Sequence, residues 1–172
     1  MAVTLFTQRL TLRPFREEDL ADLLAMDGDD RVMRWIGPGL PGRTRDEARQ
    51  SLERMIAFAR EHPGLGLRHA SRLAAGGFVG GCGLYPLTGS ADVEIAYRLP
   101  HACWGHGYAT EMAAAVLEHG FRDLRLVRIV GLTHPGNVSS QRVLEKIGMR
   151  AEGTAAHYGR EMRVFAAHRA GA

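Results

Sequence analysis

Leu99-Pro100-His101-Ala102-Cys103-Trp104-Gly105-His106-Gly107-Tyr108-Ala109-Thr110 joins a strand to a helix. Residues Ala91 to Leu99 alternate as a strand ahead of it. From about Tyr108 to Phe121, Met112, Ala113, Val116, Leu117 and Gly120 fall on one helical face. Gly105 and Gly107 let the backbone turn sharply and approach a ligand closely. The first turn of the following helix offers unpaired N–H groups and a positive dipole end. That is a seat for phosphate oxygens, and it needs no charged side chain. The stretch is not a Walker loop, because no Gly-Lys-Ser/Thr follows, and the third glycine of a dinucleotide fingerprint is replaced by Thr110. Taken alone, the glycines fit a plain tight turn into a helix equally well.

Outward from this loop the chain reads as alternating elements. Leu67 to Leu73, Gly77 to Tyr85 and Ala91 to Leu99 are three consecutive strands, with turns at Ala75-Gly76-Gly77 and Thr88-Gly89-Ser90. Before them, Val3 to Leu12 reads as one strand stopped by Pro14. Glu17 to Met26 and Thr44 to Glu61 read as amphipathic helices. Between those helices, Ile36 to Gly42 is the strongest loop signal in the chain. After the phosphate loop, Arg125 to Thr133 is a strand and Asn137 to Ile147 a helix ended by Gly148. Met149 to Ala156 and Glu161 to His168 close the chain as strands. An antiparallel meander beside a strand-helix-strand unit predicts an α/β (α+β) fold: a mixed sheet with helices on its faces.

Composition narrows the function classes. The chain has 172 residues, 45% hydrophobic and 24% charged, which suits one globular domain over 1–172 and argues against disorder or a disulfide scaffold. Of its 22 cationic side chains only Lys146 is a lysine, and the net charge is +3. A basic balance invites a nucleic-acid reading. However, Arg43, Arg45, Arg49, Arg54 and Arg60 alternate with Asp46, Glu47, Glu53 and Glu61, which is a mixed-sign solvated face. Neither nucleic acid nor a membrane is expected as a partner: no apolar run approaches the ~18 residues of a span, and the start does not resemble a signal peptide. Cys82 and Cys103 form no framework and suit a reducing cytoplasm. Heavy Arg, Ala and Gly usage points to a GC-rich bacterial genome.

Three segments, in order along nearly the whole chain, resemble the GNAT superfamily of N-acetyltransferases. Ala91-Asp92-Val93-Glu94-Ile95-Ala96-Tyr97-Arg98-Leu99 with Trp104-Gly105-His106-Gly107-Tyr108-Ala109-Thr110-Glu111 is similar to the acetyl-CoA motif. Thr7 to Pro14 and Asn137 to Met149 resemble the RimJ/RimL-like branch. The family pattern Q/R-x-x-G-x-G/A falls on Trp104, Gly107 and Ala109, with Trp104 departing from Gln/Arg. The resemblance implies a mostly antiparallel central sheet flanked by helices on both faces. It also implies that amides of Trp104, Gly105, His106, Gly107, Tyr108, Ala109 and Thr110 bind the CoA pyrophosphate. Backbone groups of Tyr97, Arg98 and Leu99 are the implied thioester contacts.

Acetyl transfer to an amine needs a base for the ammonium, donors for the oxyanion and a proton for the leaving thiolate. Glu94 is the expected base, since a carboxylate between Val93 and Ile95 has a raised pKa. Its alternative is an outward salt-bridge glutamate. The tyrosine donor that many members carry on the later helix is replaced by Leu144, and the resemblance puts Ser140 forward as the acid. Ser140 is equally well the third residue of a helix capped by Asn137, which is also expected to touch the pantetheine arm. His101, Cys103 and His106 match no zinc spacing, so no metal is expected. His106 is expected to neighbour the phosphate, and an acyl-enzyme on Cys103 is disfavoured by its place in the loop. His134 and His157 are weighed as acceptor-site residues against solvated loop positions. Met33 to Arg45 and Tyr158 to Arg163 resemble acceptor-shaping regions. The expectation is a transferase (an acyltransferase of the N-acetyltransferase type) moving acetyl from acetyl-CoA to a primary amine, a protein N-terminus or a small molecule, with a homodimer left open. The rivals are a non-catalytic acyl-CoA sensor and a nucleic-acid module.

Overall fold

A computed structural model describes residues 3–171. It has eight strands, β1 (Leu5–Phe6), β2 (Leu10–Pro14), β3 (Gly66–Arg72), β4 (Phe78–Pro86), β5 (Val93–Arg98), β6 (Arg128–Thr133), β7 (Arg150–His157) and β8 (Arg160–His168). Five helices accompany them: α1 (Leu20–Asp27), α2 (Asp30–Met33), α3 (Arg45–Glu61), α4 (Tyr108–Arg122) and α5 (Val138–Lys146). The strands form one sheet in the order β1-β2-β3-β4-β5-β6-β8-β7. Among the described residues only β5 and β6 run parallel, joined through the crossover helix α4. The α/β fold with a mostly antiparallel sheet is therefore as expected.

Two apolar layers hold the helices to the sheet. On one face Leu10, Leu12, Leu84 and Ile95 pack against Met112 and Val116 of α4 and Leu144 of α5. On the other, Leu67 and Phe15 pack against Leu23 and Met26 of α1 and Leu52 of α3. All five residues expected on the inner face of α4 are buried. The start of α3 carries a capping box. Thr44 Oγ1 accepts from Glu47 N at 3.4 Å, and Glu47 Oε2 accepts from Thr44 N at 2.8 Å.

Two expectations need correction, and one short helix had no reading. The single strand over Val3 to Leu12 is two strands folded on each other, β1 and β2, with Leu5 opposite Leu12. The hydroxyl of Thr7 accepts from Leu10 N at 2.9 Å and Arg9 N at 3.3 Å, and this side-chain turn overrides the alternation. The strand expected from Arg125 begins at Arg128, because Arg125 is left-handed with φ of +58°. A short helix, α2, stands just before the loop at Ile36 to Gly42, capped by Asp29. Among the described residues no helix is long and apolar enough to cross a membrane.

Candidate active site

The site begins where the sheet opens. The parallel ladder of β5 and β6 has two pairs, Val93 with Ile129 and Glu94 with Val130, and then stops. From Ile95 onward the edge of β5 that faces β6 carries no ladder. Tyr97 spans the gap from β5 to α5, its hydroxyl 2.9 Å from both the carbonyl oxygen and Oγ of Ser140. If the phenol proton goes to the carbonyl, the Ser140 hydroxyl donates to Tyr97 and is held away from free solvent. Burial pushes the Tyr97 phenol well above its ordinary range, so it stays a proton carrier. Asn137 caps α5 as expected: its Oδ1 accepts from Ser140 N at 3.3 Å.

The loop beyond β5 is shaped by two left-handed glycines, Gly105 at φ +79° and Gly107 at φ +78°. A side chain at either would be strained, and a Cβ at Gly105 would meet open space, so the loop presents backbone to its concave side. Gly107 is the N-cap of α4, and the first helical bond runs from Glu111 N to Gly107 O at 3.1 Å. The amides of Tyr108, Ala109 and Thr110 therefore have no partner within the helix. Trp104 folds back so that its Nε1 donates to Leu99 O at 2.9 Å, and its ring meets His101 at 4.8 Å. Its departure from Gln/Arg thus fixes the loop through its own indole. His106 stacks on Tyr108 at 5.7 Å.

Arg9 is a residue the sequence analysis missed here. Its Nε meets Glu111 Oε2 at 2.6 Å, its Nη1 donates to His106 O at 3.1 Å, and its guanidinium lies 4.8 Å over the Tyr108 ring. Glu111 Oε1 also accepts from Thr7 Oγ1 at 2.6 Å and Arg9 N at 2.8 Å. The β1–β2 turn is thereby bound to the glycine loop. The signal was present as Thr7-Gln8-Arg9 and Glu111, but they lie about a hundred residues apart in sequence and nothing local pairs them.

Glu94 is buried at 8% exposure and makes no ion pair among the described residues, which removes the salt-bridge alternative. Burial pushes its carboxyl up to about 7, and a hydrogen bond from Tyr158 opposes the rise. The Tyr158 hydroxyl donates to Glu94 Oε2, leaving Oε1 for another partner. Tyr158 and Gly159 form the two-residue turn between β7 and β8, with φ of +55° and +73°. Positive φ at both positions is what tight hairpins need, and glycine or asparagine usually fills them. A tyrosine held there, 45% exposed, is strained for the sake of its side chain.

The two regions expected to shape an acceptor pocket meet beside Glu94. Arg160 Nη1 reaches Gly37 O at 3.2 Å and Arg34 O at 3.5 Å, strapping the β7–β8 turn to the loop after α2. Trp35 of that loop lies 5.6 Å from the His134 ring, which sets His134 against this loop. His157 neighbours Tyr158 at 6.5 Å between ring centroids. The side chain of Arg98 turns to the α1 face and binds the buried Asp27, so only its backbone is left for the cofactor side. Cys103 points to Phe78 O at 3.9 Å, and burial raises its thiol, the opposite of an activated nucleophile.

Sheet, glycine loop and opened strands together define an acetyltransferase of the GNAT class. The chain belongs to the GNAT acetyltransferase family, whose domain matches residues 9–150. Members use acetyl-CoA, and the left-handed glycines and unpaired amides at Gly105 to Thr110 fit its pyrophosphate. The N-acetyltransferase YnaD of Bacillus subtilis is 32% identical over 147 residues, covering 86% of this chain and 82% of that protein. A GNAT-family acetyltransferase structure from Bacillus anthracis superposes with a TM-score of 0.81 at 26% identity, covering 96% of this chain and 98% of that one. RimJ of Mycobacterium smegmatis, solved with CoA-disulfide, shares the fold at TM-score 0.77 and 24% identity, with 97% and 86% covered.

Proposed function

We propose that the protein, one domain over 1–172, transfers acetyl from acetyl-CoA to a primary amine by direct attack in a ternary complex. The observation that carries this is Glu94: a buried carboxyl near 7, placed where β5 and β6 part. A base poised near the working pH is half ionised and still strong enough to take an ammonium proton. Its free Oε1 takes that proton, and the neutral amine then forms the C–N bond as the C–S bond breaks. Acetyl-CoA supplies the activated acyl group and the thiol leaving group. With the phenol donating to it, Ser140 Oγ gives the departing sulfur its proton, and the second proton lost by the attacking nitrogen makes good the hydroxyl pair. Backbone groups of Tyr97 to Leu99, the amides of Gly105 to Thr110, and Asn137 hold the co-substrate; the Trp104 amide, expected among them, is instead spent on His101 O at 3.1 Å. The acceptor enters from the Trp35 and Tyr158 side.

The test is thiol release from acetyl-CoA against an amine panel, with Glu94→Gln beside the native protein. The expected result is turnover that the substitution slows while CoA affinity stays nearly unchanged, with part of the loss recovered at high pH. Tight CoA binding with no turnover on any amine would make the chain an acyl-CoA sensor. Equal rates for both proteins would remove Glu94 from the chemistry.

A further inference from the structure

The sheet face onto which Glu94 opens is crowded with cations. Asp27 on α1 is fully buried, and two guanidiniums share it. Arg98 bonds it through Nε and Nη2 at 2.7 and 3.1 Å, and Arg43 through Nη1 at 2.7 Å. One carboxylate between two guanidiniums leaves a positive charge over. Arg43 registers this: burial lowers its pKa first, Asp27 opposes, and Arg98 and Arg54 push it down further. Arg98 stands on the same face of β5 as Glu94, four residues or about 13 Å along the strand.

The mouth repeats the pattern. Arg160 is half-buried, and among the described residues its guanidinium touches only the carbonyl oxygens of Gly37 and Arg34. Arg34 is exposed, lies 4.7 Å over the Trp35 ring and has no carboxylate partner among the described residues. Against these four arginines stand Asp27, already shared, Glu94, half protonated near neutrality, and Glu47, which acts on Arg43 in the opposite sense; Asp19 and Asp22, further along the face, are engaged by Arg13 and His69. A cationic acceptor would enter against that field, whereas an anionic one would be drawn in.

We propose that the acceptor amine carries carboxylates of its own, as an amino acid or an acidic peptide N-terminus does, and that polycationic amines are rejected. The inference rests on the reading that this site acetylates amines. The amine goes to Glu94 Oε1, and the carboxylates go to Arg160 and Arg34 at the mouth, while Arg98 and Arg43, bonded to Asp27, add only their surplus charge from within.

Initial rates of thiol release are measured with the tripeptide amides Ser-Glu-Glu, Ser-Gln-Gln and Ser-Lys-Lys, with free aspartate and glutamate, and with spermidine. Binding of the same amines to CoA-loaded protein is followed by calorimetry. The expected order of kcat/KM is acidic, neutral, basic, separated by roughly tenfold per step at low salt and compressed as salt rises. Arg160→Gln flattens the order and Arg160→Lys keeps it; Arg34→Gln gives the same readout if the Arg160 strap proves needed for folding. Faster turnover of free amino acids names them as the source of the carboxylate, and faster peptides name a chain end; both uphold the inference. Turnover that ignores charge or favours spermidine overturns it and leaves acetyl transfer standing. Acidic-first binding without turnover upholds it and sinks acetyl transfer, while binding without order overturns it.

Discussion

Removing the Tyr158 hydroxyl separates two opposing influences on Glu94. Burial holds that carboxyl near 7, and the phenol is the only group pulling it down. Tyr158→Phe keeps the ring and the turn but leaves Oε2 without its donor. A hydrogen bond to a charged group contributes about 1.5–3 kcal/mol, and one pKa unit is about 1.4 kcal/mol. Water replaces part of the bond at this half-exposed tyrosine, so a rise of about one unit is expected, to roughly 8. The ionised form is the working base, so the acid limb of kcat/KM moves to higher pH. At pH 7 the ionised fraction falls from about one half to about one tenth, a roughly fivefold loss that disappears near pH 9. The assay is thiol release across pH 6–9.5 with one amine, corrected for the amine's own titration. A uniform loss at every pH would refute the argument and make Tyr158 an acceptor contact only. A limb moved to lower pH would show that the phenol favours the protonated acid.

Other expectations follow from the same geometry. Glu94→Gln stabilises the fold at alkaline pH. The native carboxyl has a folded value above its unfolded one, so its contribution is present at low pH and lost as pH rises through about 7. Thermal melts of the two proteins diverge by at most about 3 kcal/mol at pH 8.5 and converge near pH 4.5; equal separation at both would refute this. Gly107→Val forces a side chain into φ of +78°, costs about 1–2 kcal/mol, and weakens CoA binding measured by calorimetry well beyond its effect on stability. Asp27→Asn leaves Arg98 and Arg43 facing each other without a counter-charge, and urea unfolding is expected to show a loss of about 3–5 kcal/mol. Cys103→Ala leaves turnover intact, since that thiol is raised rather than activated; a lost acyl intermediate in burst kinetics would contradict this.

What the sequence made legible was local. The inner face of α4, the Thr44 and Asn137 caps and the glycine loop are patterns within a few residues of one another, where periodicity and capping chemistry act. Glu94 was legible because Val93 and Ile95 flank it. What stayed hidden were pairings across long stretches of chain. Tyr158 reaches Glu94 across 64 positions, Glu111 reaches Arg9 across 102, and Tyr97 reaches Ser140 across 43. Only the sheet order brings them together. Tyr158-Gly159 between two strands was the one available hint, because a tyrosine at a left-handed turn position asks for a reason. The N-terminal strand was misread for a related cause: one threonine hydroxyl competed with the ladder and turned the chain.

The two-pair ladder between β5 and β6 also bears on how the molecule keeps its shape. Strand edges inside a folded chain are normally closed by a neighbour, because backbone amides want partners. Here the edge of β5 past Glu94 is a vacancy in the ladder at the centre of an eight-stranded sheet. A bound molecule with amides along a thin arm can pair there as a strand does, and on the proposed seating of acetyl-CoA the co-substrate would double as a piece of architecture. On that seating, acetyl-CoA would stabilise the fold by mass action, and the join between the two halves of the sheet would tighten as the acyl donor rises above its dissociation constant.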